Sequence, residues 1–397
     1  MRRRSSGVIG LGLVALVASW AFGSIPLAVV GLGLAAAGAF ARVWERLVRG
    51  SVDFDRKFLA GDRLEGDDVA IEIRARHRRR LLGGAVMLRQ RLGPLEQAAR
   101  MYRARTVLTF SDLPRGRHAL PPLEVVLSDP LGLGCVRTSV DEQSSILIRP
   151  RIPVLTSIFS AQGAHDAGAA RSLLRRPTGF EIHAVRDYAP GEPLRAVHWP
   201  STARRGRLMV KELDDAPRDD LAIVLDQDPD GVAGPVGRTS FDATVRAAGA
   251  LALAHTLWSR RVVLVGTAPE TDDVRIRAAG HDWEVALDAL AAVEPATGAR
   301  ADRAFRSPSA AVTRAREIVV VTGLPDRVVE PLLELRRGGR SVSLVVVASE
   351  TFAGRPRAVQ QPAALRAAAQ GVPVAVVSAD VPLWESLGGR SLAVAGG

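Results

Sequence analysis

The chain has 397 residues, of which 47% are hydrophobic and 24% are charged, a composition typical of folded domains accompanied by apolar segments. The formal net charge is +11, but the basic residues are spread along the chain and only 5% of the residues are aromatic. A nucleic-acid-binding face needs clustered basic residues with aromatic side chains among them, so we expect no nucleic acid partner. The single cysteine, Cys135, excludes an internal disulfide and a cysteine-based zinc site.

Residues 1–50 contain two uncharged apolar runs, 8–22 and 27–41, with Gly-Ser-Ile-Pro between them. As a helix each run covers about 22 Å, slightly less than the ~30 Å hydrocarbon core of a bilayer, and a few flanking residues close the difference. We therefore predict a transmembrane helical hairpin over residues 1–50. Small residues would let the two helices approach closely; they are Gly10, Gly12, Ala15 and Ala18 on the first run and Gly31, Gly33, Ala35 and Gly38 on the second.

Arginines flank the hairpin on both sides, at positions 2–4 before it and 42, 46 and 49 after it. Positively charged flanks remain in the cytoplasm, so we predict a two-helix cell-membrane protein with cytoplasmic soluble domains. Only residues 23–26 would then lie outside the cell. The alternative is a cleaved signal peptide, because the first four residues resemble its basic start. A second apolar run directly afterwards is unlike a secreted domain.

Residues 51–155 show the two-residue apolar period of β-strands, for example at Val69, Ile71 and Ile73. Short runs of this kind, separated by Gly, Pro, Asp and Arg, favour an antiparallel β-sandwich domain. The stretch 129–133, Asp-Pro-Leu-Gly-Leu, is interpreted as a turn in which Asp129 caps the backbone and Gly132 takes a positive φ.

Residues 218–397 alternate between strand and helix patterns. Leu221–Leu225 is a continuous apolar run ending at Asp226, which is typical of a strand buried on both faces. The first helix should begin at Thr239 or Ser240, which are capping residues, and further apolar runs and helical patterns follow in turn. Repeated strand–helix units predict an α/β doubly wound domain with a mostly parallel sheet.

Residues 156–217 form the linker between these two domains, and 186–212 within it are the most distinctive part of the chain. Pro190 and Gly191 predict a tight turn. Aromatic residues and arginines alternate around that turn, a mixture common at packing interfaces, so we interpret the segment as a joint between domains with Trp199 buried. Catalysis by His198 or Ser201 is the alternative.

The same segment resembles the signature of the bacterial family called domain of unknown function 58. Its pattern is Arg-x-Tyr-x-x-Gly-Asp/Glu-x-x-Arg-x-Ile/Val-x-Trp-x-x-Ser/Thr-Ala-Arg, followed by Leu-x-Val-Lys/Arg-Glu. Glu192 stands where Asp is more common and Pro200 where a basic residue is usual, and the likeness extends more loosely from the N-terminus to about residue 390. The matching positions are Arg186, Tyr188, Pro190, Gly191, Glu192, Arg195, His198, Trp199, Ala203, Arg204, Leu208, Val210 and Glu212.

The resemblance implies that residues 218–397 form a von Willebrand factor A-like domain. Many such domains hold Mg²⁺ with an Asp-x-Ser-x-Ser loop, a Thr from a second loop and an Asp from a third. Here Asp228 and Asp230 replace both serines after Asp226, the acid of the third loop is displaced to Asp326, and the expected second loop, residues 280–282, has no Thr. Carboxylates this close repel one another, so we expect no cofactor, and Asn at 228 or 230 should be neutral or slightly stabilising. Any Mg²⁺ that did bind would use these four acids.

Family members are typically encoded beside MoxR-type AAA+ ATPases, so the resemblance implies a cytoplasmic ATPase as partner. We therefore expect a non-catalytic, membrane-anchored factor for protein interaction and assembly, with no small-molecule substrate identified. The sequence has neither a phosphate-binding Gly-Lys-Ser/Thr loop nor a Gly-x-Ser-x-Gly elbow. Two alternatives remain: a metal-dependent hydrolase using Asp226 and Asp228, or His198, and an extracellular metal-dependent adhesin of the opposite topology.

Overall fold

The chain divides into two compact units, Met1–Pro150 and Arg151–Gly397, and each is described by itself. A computed structural model describes residues 3–49, 52–59, 63–77, 84–141, 144–155, 158, 182–187, 199–213, 221–258, 260–269, 271–277, 282–306, 308–315, 317–356 and 361–388.

The first unit begins with two helices, α1 (Arg3–Phe22) and α2 (Ile25–Val48), that are both long and apolar enough to cross a membrane. They are joined at Gly23, whose φ of +62° is the left-handed conformation that glycine adopts most readily. With 20 and 24 residues they are about 30 and 36 Å long. Both therefore exceed the predicted runs by including flanking residues, Arg3 to Gly7 in α1 and Arg42 to Val48 at the end of α2.

The two helices touch at three of the predicted small residues. A Cβ atom on Gly12 would lie 2.6 Å from the Ala35 nitrogen, and one on Gly31 would lie 2.9 Å from the Leu16 nitrogen. Gly38 is equally close to Ile9. Gly10 and Gly33, in contrast, have nothing within 4 Å, so their predicted place in the contact is wrong. They lie two residues from Gly12 and Gly31, which puts them on another side of each helix.

The rest of this unit is a β-rich region of three antiparallel sheets around one core. The sheets have the orders β1-β2-β5, β4-β3-β7-β8 and β6-β9. Trp44 and Val48 of α2 belong to that core, which explains why α2 continues past the predicted end at residue 41. The strands are β1 (Val52–Phe58), β2 (Val69–His77), β3 (Ala85–Leu92), β4 (Leu95–Met101), β5 (Arg105–Phe110), β6 (Gly116–Leu120), β7 (Leu123–Ser128), β8 (Cys135–Val140) and β9 (Ser144–Ile148).

The second unit contains a small antiparallel pair, a short helix and a mixed six-stranded sheet with its helices. The pair is β10 (Ile182–Asp187) and β11 (Met209–Leu213), and α3 (Trp199–Arg205) precedes β11. The sheet strands are β12 (Leu221–Leu225), β13 (Val262–Gly266), β14 (Val274–Ile276), β15 (Glu317–Thr322), β16 (Ser341–Val347) and β17 (Val374–Val377). The remaining helices are α4 (Ser240–Leu257), α5 (Trp283–Ala292), α6 (Arg303–Arg306), α7 (Ala310–Arg314), α8 (Pro325–Arg337), α9 (Ser349–Phe352), α10 (Pro362–Ala369) and α11 (Leu383–Ser386).

The sheet has the strand order β14-β13-β12-β15-β16-β17, and all its pairings are parallel except that of β13 with β14. Side chains of β12 alternate between two cores: Leu221 and Ile223 pack with α4, while Ala222 and Val224 pack with α8 on the opposite face. The prediction of mixed α/β content with helices on both faces is confirmed. The short antiparallel strand β14 was not predicted, because three residues carry no recognisable period.

A crevice in this sheet is expected at the carboxyl ends of β12 and β15. After β12 the chain adds β13 on one side and later returns to add β15 on the other. The helix after β12, α4, and the helix after β15, α8, therefore lie on opposite faces and leave room between their connections. Such switch points in open parallel sheets are the usual place for binding sites.

Candidate functional site

Five side chains meet at this switch point, and we refer to them as the strand-end cluster: Asp226, Asp228, Asp230, Thr322 and Arg327. Asp226 directly follows β12, and Thr322 is the last residue of β15. Asp228 and Asp230 lie on the loop after β12, and Arg327 lies in the first turn of α8. The sequence had placed the three carboxylates of the first loop together, and this grouping is what the structure has.

Asp226 is the buried centre of the cluster, with 5% of its surface exposed. One carboxylate oxygen accepts a hydrogen bond from the Thr322 hydroxyl at 2.6 Å, and the other accepts from the Asp228 backbone nitrogen at 3.0 Å. Burial raises the pKa of Asp226 to about 6, because desolvation disfavours the charged form more than these two hydrogen bonds stabilise it. Asp226 is therefore a group that titrates near neutral pH.

Arg327 joins the other two carboxylates. One guanidinium nitrogen donates to Asp228, and the second donates to Asp230 at 2.7 Å. These ion pairs, led by the hydrogen bond to Asp230, raise the pKa of Arg327, so the guanidinium stays charged. The cluster thus contains its own cation, and the repulsion expected between Asp228 and Asp230 is offset by the charge between them.

Gln227 holds the start of the loop after β12 through hydrogen bonds to the segments that follow β13 and α5. Its backbone nitrogen donates to the Thr267 hydroxyl at 2.8 Å, and its side-chain amide donates to the Glu294 carbonyl at 2.9 Å. The Gln227 side-chain oxygen in turn accepts from the Ala268 nitrogen at 3.1 Å. Thr267 directly follows β13, the neighbouring strand of the sheet. The second loop was expected near residues 280–282, of which only Asp282 lies within the described residues.

The loops after β12, β15 and β16 approach one another closely beside the cluster. A Cβ atom on Gly323 would lie 2.6 Å from the Ser349 hydroxyl and 2.8 Å from the Gly231 carbonyl oxygen. The Ser349 hydroxyl donates to that same carbonyl at 2.6 Å, as does Ser240 at 2.9 Å. Glycine at 323 is therefore required by space, and the three strand ends form one connected surface.

The donor set of the strand-end cluster does not fit Mg²⁺ in this arrangement. Mg²⁺ requires several oxygen ligands at octahedral positions, but Arg327 lies between Asp228 and Asp230, and Thr322 donates to Asp226. Asp326 is exposed in the first turn of α8, where it was expected to join the acids, and its neighbour Arg327 faces them instead. Across the described residues, the structure has no group of three or more His, Cys, Asp or Glu side chains that could hold a metal ion.

The loop after β12 continues past the cluster to an exposed stretch before α4. Residues 234–236, Gly-Pro-Val, precede the first turn of α4, which Thr239 caps through a reciprocal pair of hydrogen bonds with Asp242, confirming the predicted start of that helix. Gly234 has a φ of +104° and packs against Phe352 at the end of α9. Val236 is 78% exposed. An apolar side chain thus stands in solvent on the same edge of the sheet as Asp230 and Arg327.

The signature segment is described only in part. Arg186 lies in β10 and Glu212 in β11, which pair as neighbouring antiparallel strands, and Ala203 and Arg204 lie in α3. The predictions for the next part of the signature lie outside the described residues, and they concern Tyr188, Pro190, Gly191, Glu192, Arg195 and His198. Trp199 begins α3 and is 62% exposed, so the expected burial of its indole ring is wrong. The short helix is held instead through Thr202, whose hydroxyl accepts from the Met209 nitrogen at 3.0 Å.

A second buried polar group lies at the opposite end of the sheet, near the start of β15. His255 is fully buried, and Arg260 donates to its Nδ1 at 3.0 Å. Arg260 also pairs with Glu317 at 2.5 Å. Burial, aided by the charge of Arg260, lowers the pKa of His255 to about 3, so this histidine is neutral at physiological pH. It is a structural histidine of the core.

Comparisons with known proteins agree with the sequence resemblance over part of the chain. The uncharacterized protein YeaD of Bacillus subtilis is 24% identical over 115 residues, which is 29% of this chain and 29% of that protein. A solved structure, Cwp6 from Clostridium difficile, covers 82% of this chain and 45% of its own at 10% identity, with a TM-score of 0.16 that is too low to indicate a shared fold. Residues 184–353, which contain the strand-end cluster, match the family described as "Protein of unknown function DUF58".

Proposed function

We propose that this protein is a non-catalytic, membrane-anchored factor for protein interaction and assembly, which presents the carboxyl-end edge of its α/β sheet to a partner. The partner that the family resemblance implies is a cytoplasmic AAA+ ATPase of the MoxR type. A β-sandwich for the β-rich region and a von Willebrand factor A-like fold for the α/β part belong to the same proposal. The observation that supports the interaction role most directly is that Arg327 pairs with two carboxylates of the strand-end cluster.

Arg327 supports a binding role over a chemical one. A catalytic metal needs open coordination positions, and a general base needs a free path to its substrate. Here Asp228 and Asp230 are engaged by the guanidinium, and Asp226 is buried beneath them. The result is an ion-paired edge that keeps a net negative charge, since three aspartates face one arginine, and exposed Val236 lies on the same loop; such an edge suits recognition by a protein surface.

Membrane anchoring is supported by the two apolar helices, and the arginines on both flanks favour cytoplasmic soluble domains. A reporter enzyme fused at the C-terminus should be active in the cytoplasm, and a tag inserted after Ser24 should be labelled from outside intact cells. Digestion of the C-terminus by external protease in intact cells would contradict this topology and favour the adhesin alternative.

The partner surface can be tested by substituting two exposed valines in the same way. Val236→Glu places a charge on the loop that also carries Asp230, whereas Val285→Glu makes the same change on α5, where Val285 is 60% exposed. Capture from native membranes should recover an AAA+ ATPase with the wild-type protein and with Val285→Glu, and lose it with Val236→Glu. Equal recovery of the ATPase by the wild type and both variants would overturn the proposed surface. Recovery of no ATPase by the wild type would overturn the proposed partner.

The hydrolase alternative has one observation in its favour, which is the raised pKa of Asp226. Perturbed titratable groups in crevices are candidates for acid–base chemistry. Burial accounts for this pKa without a reaction, and Thr322 already donates to the carboxylate. Loss of a measured hydrolytic activity in Asp226→Asn, with partner capture retained, would favour the enzyme.

A further inference from the structure

We propose that the loop 129–134, together with the last two turns of α2, forms a contact site for anionic phospholipid headgroups, with Leu131 entering the boundary between headgroups and acyl chains. The β-rich region would thereby lie directly on the bilayer surface. This inference rests on the membrane anchoring proposed above. It goes further because it assigns a lipid-binding role to a loop of the β-rich region.

The first step is that α2 continues without interruption from the apolar segment into the β-rich core. The part of α2 from Ile25 to Arg42, its first charged residue, is about 26 Å long, which is close to the ~30 Å hydrocarbon thickness. Ala41 is fully buried within this unit, and Trp44 belongs to the β-rich core. A rigid helix therefore fixes the β-rich region at the depth where the hydrocarbon ends.

The second step is that the loop 129–134 adjoins this same level of α2. A Cβ atom on Gly134 would lie 2.8 Å from the Glu45 carboxylate and 3.3 Å from the Ala41 carbonyl oxygen. The loop has the predicted turn geometry, since the Leu133 nitrogen donates to Asp129 at 2.8 Å and Gly132 has a φ of +69°. Leu131 is three residues from Gly134, at most about 11 Å of chain, and is 54% exposed. A hydrogen-bonded turn thus holds an exposed leucine near the end of α2 that lies at the proposed membrane boundary.

The third step is the chemistry of the surrounding helix surface. Arg42 and Arg46 of α2 and Arg49, the residue that follows its last turn, are spaced at i, i+4 and i+7, so they form one exposed stripe. Val43 and Leu47 lie beside that stripe and are 52% and 51% exposed. An anionic bilayer surface matches this chemistry. Its phosphates pair with guanidinium groups at the level of the headgroups, and the apolar side chains next to the arginines face the boundary with the acyl chains.

The experiment uses full-length protein in phospholipid vesicles, with the native thiol removed by Cys135→Ser and one new cysteine carrying an environment-sensitive dye. The test position is Leu131→Cys. The matched control is Pro94→Cys in the turn after β3, a strand preceded by Gly84, which lies against the Trp44 ring of α2; eight strand residues put that turn about 26 Å from the start of β3. Val30→Cys, in the apolar part of α2 and 56% exposed, reports insertion of the helix itself.

Quenchers attached to lipid tails and iodide in water then distinguish the outcomes. We expect the dye at 131 to be quenched by the lipid-bound quencher and protected from iodide, and the dye at 94 to behave in the opposite way. Adding phosphatidylglycerol to phosphatidylcholine vesicles should increase protection at 131, and Arg46→Gln with Arg49→Gln should remove that increase.

Iodide quenching at 131 with lipid quenching at 30 would overturn the loop contact while leaving the membrane anchor intact. Iodide quenching at 30 would overturn the anchor, and with it both the proposed function and this inference. Identical protection at 131 in neutral and anionic vesicles would overturn the headgroup selectivity assigned to the arginines.

Discussion

The hydroxyl of Thr322 donates a 2.6 Å hydrogen bond to the carboxylate of Asp226 across 96 positions of sequence, joining the ends of two neighbouring parallel strands. The bond is fully buried and lies beneath the Arg327 ion pairs. It therefore connects the most strongly perturbed acid of the cluster with the strand that leads into α8.

The first prediction concerns pH. The pKa of Asp226 is about 6 in the folded protein against 3.8 for the free group, so between about pH 4 and 6 the unfolded chain loses this proton before the folded one does. The free energy of unfolding should therefore fall as pH rises through that window, by about 3 kcal/mol in total, and stay lower above it. Melting temperatures of the wild type between pH 4 and 7.5 should follow this trend, and Asp226→Asn should flatten it.

Thr322→Val tests the same pKa shift of Asp226 in a second way. It removes a hydrogen bond that favours the charged form of Asp226, so the pKa of Asp226 should rise further and the fall in stability should extend above pH 6. A slope that is the same in the wild type and in Asp226→Asn would show that Asp226 is not the group responsible.

The second prediction concerns the cation within the cluster. Arg327→Gln removes the positive charge from between Asp228 and Asp230, so the variant should be less stable without metal and should gain affinity for a divalent cation. Millimolar Mg²⁺ or Ca²⁺ should raise the melting temperature of Arg327→Gln by mass action and leave the wild type unchanged. Arg327→Lys, which keeps a charge, is the control.

A metal-dependent rise in the wild type that vanishes in Asp226→Ala would instead establish a working cation site. Arg327 also reverses the expectation for the single acids, because Asn at either position loses an ion pair. Asp228→Asn should cost about 1.5–3 kcal/mol, as expected for a hydrogen bond to a charged group. Asp230→Asn should cost no more than about 1 kcal/mol, since Asp230 is exposed.

The sequence predicted that Asp228 lies at the strand end, but it did not predict that Arg327 joins it there. Asp226 and Asp228 are two residues apart after an apolar run, so local pattern alone predicted that they lie together at a strand end. Arg327 reaches Asp228 from 99 positions away, and nothing local distinguishes it from the many other arginines of the chain. The strand runs and helix starts of the α/β part were predictable for the same local reason, whereas Thr267 and β14 depend on which strands become neighbours.

The third prediction concerns the helical hairpin. Gly31→Ala puts a methyl group 2.9 Å from the Leu16 nitrogen and 3.0 Å from the Gly12 carbonyl oxygen, so α1 and α2 must separate. Gly33→Ala is the matched control two residues away, where a Cβ atom meets nothing within 4 Å. In denaturant titrations in micelles followed by circular dichroism, Gly31→Ala should unfold earlier than the wild type. Gly33→Ala should be unchanged or more stable, since alanine favours helix by up to about 1 kcal/mol.

The fourth prediction concerns Trp199. A fully buried tryptophan would cost about 3–5 kcal/mol on truncation to alanine, but this indole ring is 62% exposed. Trp199→Ala should therefore change the free energy of unfolding by no more than about 0.5 kcal/mol, as surface substitutions usually do. Met209, ten positions on and 1% exposed, supplies the matched comparison, and Met209→Ala should cost about 2–5 kcal/mol.

Thermal melts of both variants decide between a structural and a binding role for the signature segment. An exposed tryptophan with an unchanged melting temperature is free to contact a partner, because large aromatic side chains dominate many interfaces. If Trp199→Ala keeps the wild-type melting temperature and loses the captured ATPase, α3 belongs to a binding surface. A loss of several kcal/mol in Trp199→Ala, equal to that of Met209→Ala, would restore the buried joint that the sequence had suggested.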